Sequence, residues 1–361
     1  MTYPTGGRMI GLDYFRIALA VLIFMFHSRM HIGCDYLVLN SFVSMGAIAM
    51  TGFMMLSGFV LYRTYCSKDL SDICEIRNFT LKRLITILPS YYAIAILHIC
   101  WQLIRHDISV SDVLILLPID LTGTQSTFFS LFDYSHHGGT WFISCILICY
   151  LAYPYLQSVL SRISDHTRRW ILVLLICFEL WAPVVRIWFD LDMVSLYANP
   201  FNRLIEFTIG ILLSQISAPR LIQGIRSKGA AIMWVLGICL VFVALVTVKR
   251  FIGIPADYMV ISGIAIPFYS VIMLILSHDC FVDAQPSKTV LYLSELSFTF
   301  YLCQVLPLWK LTSFLCGMAG TDANVVKIIL SLVLCTVGAV TIHELVEKPS
   351  SGFLKRELLN N

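Results

Sequence analysis

Ten stretches of about twenty predominantly apolar residues run along this chain, and they leave little choice of fold. They lie near 12–33, 42–62, 84–104, 141–160, 170–188, 201–217, 229–248, 258–277, 291–313 and 324–346. A helix that crosses the hydrocarbon of a bilayer needs about 20 such residues. Strands of a membrane barrel would be about 10 residues long, with alternating polarity. The runs here are longer and apolar on every side. The expected fold is therefore all-α: a polytopic membrane helix bundle of about ten transmembrane helices, forming a single domain over residues 1–361. Composition closes off the alternatives. The chain is 58% hydrophobic and 13% charged, against about 25% charge in soluble proteins. A soluble core of this length could not hide that much apolar side chain.

The first run exceeds the apolar stretch of a signal peptide, and no small-residue cleavage site follows it, so it is read as retained. The apolar stretch Val113–Ile119 is too short to span and is read as interfacial or re-entrant, inside a long loop over 105–140. No soluble domain is expected on either side. Lys and Arg set the orientation. With the N-terminus inside, sixteen fall in the inner loops and tails, and only Arg29, Arg105, Lys249 and Arg250 fall outside. Both termini are thus predicted to be cytoplasmic.

Most of the twelve cysteines lie in apolar runs and read as small hydrophobes. No CxxC pair is present, which argues against zinc and thioredoxin-type sites. Cys34 and Cys316 both fall near the outer face; packing is preferred over a disulfide, since sequence does not give their distance.

Ionisable groups inside spans are costly and are functional candidates by default. Arg16 and His27 stand eleven residues apart in the first span, so they project from one helix face roughly 16 Å apart. Asp13 is placed to pair with Arg16 at i,i+3. Each has a plainer reading: Arg16 as an interfacial anchor, His27 as a neutral imidazole bonded to a neighbouring helix. His31 follows His27 by four, but no third ligand stands at metal spacing, so no metal is expected. Ser57 precedes Gly58, and close helix packing explains that pair better than a nucleophile without a base.

Several short motifs occur in order along the chain. They are LDYFRIALAVLIFMFH (12–27), GFMMLSGFVLY (52–62), FTLKR (79–83, placed before the third helix), TWFISCILICYLAYP (140–154), RLIEFTIGILL (203–213), SFTFYLCQ (297–304) and EKP (347–349). Together they resemble the acyltransferase-3 family of membrane acyltransferases, over the whole chain. The resemblance implies a membrane acyltransferase domain in a bacterial cytoplasmic (inner) membrane. Its donor would be acetyl-coenzyme A or another acyl-coenzyme A, and its acceptor a hydroxyl of a surface or secreted carbohydrate such as O-antigen polysaccharide, or of a lipid-linked glycan. Lipid and these substrates are the implied partners, with no nucleic acid.

One departure stands out. The family often carries Tyr-Leu-x-His in the ninth helix, where this chain has Tyr301-Leu302-Cys303-Gln304. Gln304 bonds hydroxyls but does not titrate, which leaves His27 as the intramembrane base, with Arg16 as its catalytic companion. Arg16, Arg83 and Glu347 map to the inner side as candidate donor-binding residues, since Arg suits phosphate oxygens. Glu347 is expected to pair with Arg16 or Arg83. Trp141, Arg203, Glu206 and Gln304 map to the outer half as candidate acceptor-binding residues, with His136 and His137 at its edge. The plainer readings are a belt tryptophan for Trp141 and a structural i,i+3 ion pair for Arg203 and Glu206. The rival classes are a transporter of a glycan or lipid-linked saccharide, which would favour inverted repeats with broken helices, and an inactive scaffold in polysaccharide assembly.

Overall fold

A computed structural model describes residues 8–127, 140–189, 197–225, 227–252, 258–283 and 286–359. A helix stands at every one of the ten apolar runs. Helix α1 covers Ile10–Ile32, α2 Ala49–Tyr65, α3 Ile73–Ile104 and α4 Val110–Thr122. Helices α5, α6 and α7 cover Trp141–Arg162, Asp165–Phe189 and Pro200–Gln215. Helices α8 and α9 cover Lys228–Ile252 and Tyr258–Leu276, and α10 and α11 cover Lys288–Leu302 and Leu306–Met318. Helix α12, Asn324–Ile342, runs through a π-turn at His343–Glu347 into α13, Lys348–Leu359. A two-residue antiparallel pairing, Arg8–Met9 with Val282–Asp283, ties the start of α1 to the loop after α9.

Among the described residues, six segments are long and apolar enough to cross a bilayer, and the α10–α11 pair makes a seventh if taken as one span. That criterion falls short of the ten expected. Helix α7 has 16 residues, about 24 Å of rise against a hydrocarbon core of about 30 Å, and two of its charged side chains turn into the bundle. Helix α9 contributes only the shorter apolar segment Ser262–Leu276. Large apolar side chains face outward along the helices, among them Ile96, Leu151, Leu174, Trp234, Leu240 and Val333. Such a surface belongs against lipid, and the protein is an integral membrane protein.

Two boundaries differ from the sequence expectation. Helix α3 begins at Ile73, because Asp72 caps it by accepting the Cys74 N–H at 3.0 Å. Phe79–Arg83 therefore lies inside the helix and not ahead of it. The ninth run is broken: α10 and α11 meet at 87°. Pro307 is the second residue of α11. A proline has no N–H to continue a helix and disfavours helical backbone before it, so α10 stops at Leu302 and a new helix starts at Leu306. Gln304 sits in the break, where its carbonyl oxygen accepts the Trp309 indole N–H at 3.2 Å. The stretch expected to be interfacial is a short helix, α4, started by a Ser109–Asp112 capping box.

The tightest helix contact is between α2 and α7. A Cβ on Gly58 would stand 2.0 Å from the Phe207 carbonyl oxygen, and one on Gly210 would stand 1.9 Å from that of Met55. The two glycines open reciprocal notches that let the backbones touch. All twelve cysteines are free thiols; Cys34 and Cys316 are buried packing residues.

Candidate active site

Helix α10 organises the site. Ser294, Ser297, Phe298 and Tyr301 repeat at i, i+3, i+4 and i+7, so one face of α10 lines a cavity of about 540 Å³. Helices α1, α2, α3 and α5, the π-turn and α13 supply the other walls. The cavity has a charged part, with Arg16, Arg83, Glu295, Glu347, Lys348 and Lys355, and an apolar part, with Met50, Phe53, Phe142, Ile146, Phe298 and Tyr301. All three residues that the sequence put forward for donor binding, Arg16, Arg83 and Glu347, line this one space.

Asp13 pairs with Arg16 at i,i+3, as expected, but shares its carboxylate with a second arginine. Its carboxylate is held by the Arg8 guanidinium through two bonds of 2.8 Å and accepts the Ser294 hydroxyl at 2.6 Å. Arg16 Nη1 stands 3.9 Å from Asp13 and donates to Ser294 Oγ at 3.1 Å. Its side chain keeps 27% of its exposure, so part of the charge is offered to the cavity. Arg83 has no ion pair among the described residues. Its guanidinium lies over the rings of Tyr65, Phe79 and Tyr150 at 5.4, 5.8 and 6.0 Å, Nη2 donates to the Tyr65 hydroxyl at 3.0 Å, and Nε is buried without a partner among the described residues. The aromatic cradle favours the cation and holds its plane.

Glu347 pairs with neither arginine. Its Oε2 accepts three bonds: from Ser90 Oγ at 3.0 Å, from Thr299 Oγ1 at 2.6 Å and from His343 Nδ1 at 2.9 Å. The reason is the π-turn, which widens the backbone between His343 and Glu347 and points both into the bundle between α3 and α10. Sequence reasoning did not single out His343. The signal available was a histidine four residues before a motif glutamate, inside an otherwise apolar run.

His27 Nδ1 stands 2.8 Å from Gln304 Oε1. Gln304 Nε2 donates to the Phe300 carbonyl, which fixes the amide so that its oxygen faces the imidazole. An amide oxygen only accepts, so Nδ1 of His27 carries a proton, and in the neutral imidazole the lone pair is on Nε2. His27 is half-buried and is not among the residues that line the cavity. Its ring stacks on Tyr301 with centroids 6.3 Å apart, and Tyr301 meets Phe142 edge-on at 5.7 Å. Tyr301, which lines the cavity on its other side, therefore stands between the cavity and the histidine. On the other side His31 lies 5.9 Å from His27 and stacks on Trp309.

The remaining candidates form a separate, closed cluster. Arg203 and Glu206 are 1% and 3% exposed. Arg203 Nη1 donates to both carboxylate oxygens at 2.7 and 2.8 Å and to Thr51 Oγ1 at 3.1 Å, while Nε donates to the Tyr197 carbonyl at 2.8 Å. Thr51 Oγ1 donates to Glu206 at 2.9 Å. Trp141 and Tyr197 cover the guanidinium faces at 5.3 and 4.6 Å. The pair is satisfied from all sides and does not line the cavity. Gln304 is placed on His27 and away from this cluster. His136 and His137 lie outside the described residues.

Residues 9–344 match the family model described as an acyltransferase domain, that of the acyltransferase-3 family. The chain belongs to the acyltransferase-3 family. No curated protein matches it, and no solved structure does. Membership makes the protein a membrane acyltransferase, and the cavity beside Tyr301 is a place in this acyltransferase where ionisable side chains from several helices converge.

Proposed function

We propose that this acyltransferase moves an acyl group, acetyl in the first instance, from cytoplasmic acyl-coenzyme A to a hydroxyl of a surface or secreted carbohydrate, with His27 as general base. The proposed setting is a bacterial cytoplasmic membrane, with ten spans and both termini inside. The observation that carries the reading is the placement of His27: an imidazole with a lone pair on Nε2, held by Gln304, one aromatic ring beyond the apolar part of a cavity whose other part carries four cations.

Arg16, Arg83, Lys348 and Lys355 suit the phosphates of coenzyme A. Helices α1 and α10 carry the polar groups in step. Arg16 meets Ser294, and His27, about 16 Å further along α1, meets Gln304 ten residues beyond Ser294. That length matches an extended pantetheine arm running from the charged part to the aromatic wall. The acceptor reaches His27 from the side away from the cavity. Its hydroxyl proton passes to His27 Nε2, its oxygen bonds the thioester carbon, and the carbon–sulfur bond breaks with the electron pair leaving on the coenzyme A thiolate. A two-step route, in which Nε2 first takes the acyl group, uses the same lone pair.

The break between α10 and α11 favours a second reading, since discontinuous helices hold substrates in transporters. Thioester consumption separates the two. Purified protein given labelled acetyl-coenzyme A and a glycan acceptor is expected to consume the thioester, and His27→Ala to lose about 10²–10⁴-fold in rate. Full activity of His27→Ala would overturn the base role, and acyl-coenzyme A consumption at background by the wild type would favour the carrier. Labelled His27 peptide without acceptor would identify the two-step route.

A further inference from the structure

A second cavity, of about 350 Å³, lies at the end of α1 and is unused by the mechanism above. The chain leads into it from the surroundings of His27. His31 is exposed, lies 5.9 Å from His27 and stacks nearly parallel on Trp309 at 5.7 Å. Ile32, the next residue after His31, lines the cavity, as does Ser313, one helical turn after Trp309. Ser313 Oγ donates to the Trp309 carbonyl at 3.2 Å. From there the cavity follows α11 past Gly317 to the turn before α12, where Thr321, Asp322 and Lys327 close it. A Cβ on Gly317 or Gly320 would meet nothing within 4 Å, so the floor is open backbone. The walls are tied together: the Asp35 N–H donates to Asn324 Oδ1 and Asn324 Nδ2 donates to the Asp35 carbonyl, both at 2.7 Å. That clip fixes the segment after α1 against the start of α12, and a fixed groove loses little on binding.

The polar groups say what fits. Lys327 pairs with Asp322, whose side chain keeps 92% of its exposure, so carboxylate oxygen remains open to a ligand. Thr321 Oγ1 accepts the Ala323 N–H at 3.2 Å, which leaves its own hydroxyl proton to donate. Ser313 has already spent its proton on Trp309 and is left to accept. Donors and acceptors thus alternate along one groove, and a row of sugar hydroxyls, each both donor and acceptor, answers them. An anion would meet the Asp322 carboxylate, and an apolar chain would bury the ion pair without returning a bond. Distance sets which sugar. Gly317 stands about 12 Å further along α11 than Trp309, more than one sugar ring covers. A unit with its hydroxyl at His27 lies against His31 and Trp309, and the unit joined to it reaches the groove. We propose that this groove is a second acceptor subsite, which holds the sugar next to the one being acylated, so that the acceptor is an assembled oligo- or polysaccharide and not a free sugar. This rests on the carbohydrate-acceptor reading above and adds the length of the acceptor. It also places the acyl transfer after the glycosyl transfers that join those sugars.

The test uses full-length protein in lipid nanodiscs, labelled acetyl-coenzyme A and two acceptors. One is the surface polysaccharide of the producing cells, freed of its esters by mild base; the other is the monosaccharide mixture from its complete hydrolysis, with both counted per sugar unit. Gly317→Leu puts a side chain into the groove from a helical position with open space around it, and leucine favours helix over glycine. KM for the polysaccharide is expected to rise about tenfold to a hundredfold in Gly317→Leu, as loss of one or two hydrogen bonds implies. KM for the monosaccharides and for acetyl-coenzyme A should stay within about threefold of wild type. Asp322→Asn, which keeps the shape and removes the charge, should raise the polysaccharide KM by about threefold to tenfold. An unchanged polysaccharide KM in Gly317→Leu would overturn the proposal. So would equal rises for both acceptors, which would mark a structural role, or a wild type that uses the monosaccharides as well as the polymer. If the wild type acylates neither acceptor while consuming the thioester, the carbohydrate reading fails and this inference falls with it.

Discussion

The position where relatives often carry histidine holds Gln304, and its contact with His27 gives that exchange a physical meaning. A neutral amide oxygen can hold the His27 tautomer as a carboxylate would, without bringing a charge into the membrane. Gln304→Leu should therefore lower kcat by about tenfold, the worth of one oriented hydrogen bond, while KM for acetyl-coenzyme A stays unchanged because Gln304 does not line the donor cavity. Steady-state kinetics against both substrates would check the split; a rise in donor KM alone would remove Gln304 from the base and put it on the donor. The sequence made His27 and Arg16 legible because an ionisable group in an apolar run stands out without any structure, and Arg83 and Glu347 through the short motifs at 79–83 and 347–349. Their partners were only partly legible. Asp13 pairs with Arg16 at 3.9 Å as helical spacing implies, but Arg8 also holds it through two bonds, and Arg8 lies ahead of the helix where no periodicity applies. Glu347 was expected to meet an arginine, and a π-turn that no residue pattern announces turns it to His343.

At the scale of helices, apolar runs located the elements and small residues set how closely two of them approach. Gly58 and Gly210 are the case with the least room. Gly210→Ala would press a methyl group into the Met55 carbonyl at 1.9 Å, and backbone cannot swing aside as a side chain can. The expected loss is about 1–3 kcal/mol or more, seen as a lower melting temperature in detergent. Gly237→Ala on α8 meets nothing within 4 Å and should be neutral or raise stability by about 0.4–1 kcal/mol, since the unfolded chain loses freedom. Equal behaviour of the two variants would mean that α2 and α7 are not in backbone contact. Such contacts are long-range, which is why the sequence reading could propose packing for Gly58 but not name Phe207 as its partner. Pro307 was in plain view; a run judged by apolarity alone hides a break, because hydropathy carries no record of where a backbone N–H is missing.

The whole molecule adds direction. A donor made in the cytoplasm can enter only if the charged part of the cavity faces inward, so the lysine and arginine count and the proposed chemistry make the same demand on topology. The loops after the first, third and ninth runs must then lie outside, and the segment between α2 and α3 inside. Cys66 and Cys74 flank that segment and are exposed, as are Asp107 after α3 and Asp322 between α11 and α12. Single-cysteine versions should separate cleanly under a membrane-impermeant maleimide. Asp107→Cys and Asp322→Cys are expected to label in intact cells, and Cys66 and Cys74 only after permeabilisation. The two outer positions flank an odd number of expected spans on either side, so their joint labelling also tests the alternation on which the count of ten depends. Labelling of Cys66 in intact cells together with protection of Asp107→Cys would invert the bundle. Arg16, Arg83 and Lys355 would then face away from the compartment that makes coenzyme A, and the cations lining the cavity would need another anion to explain them.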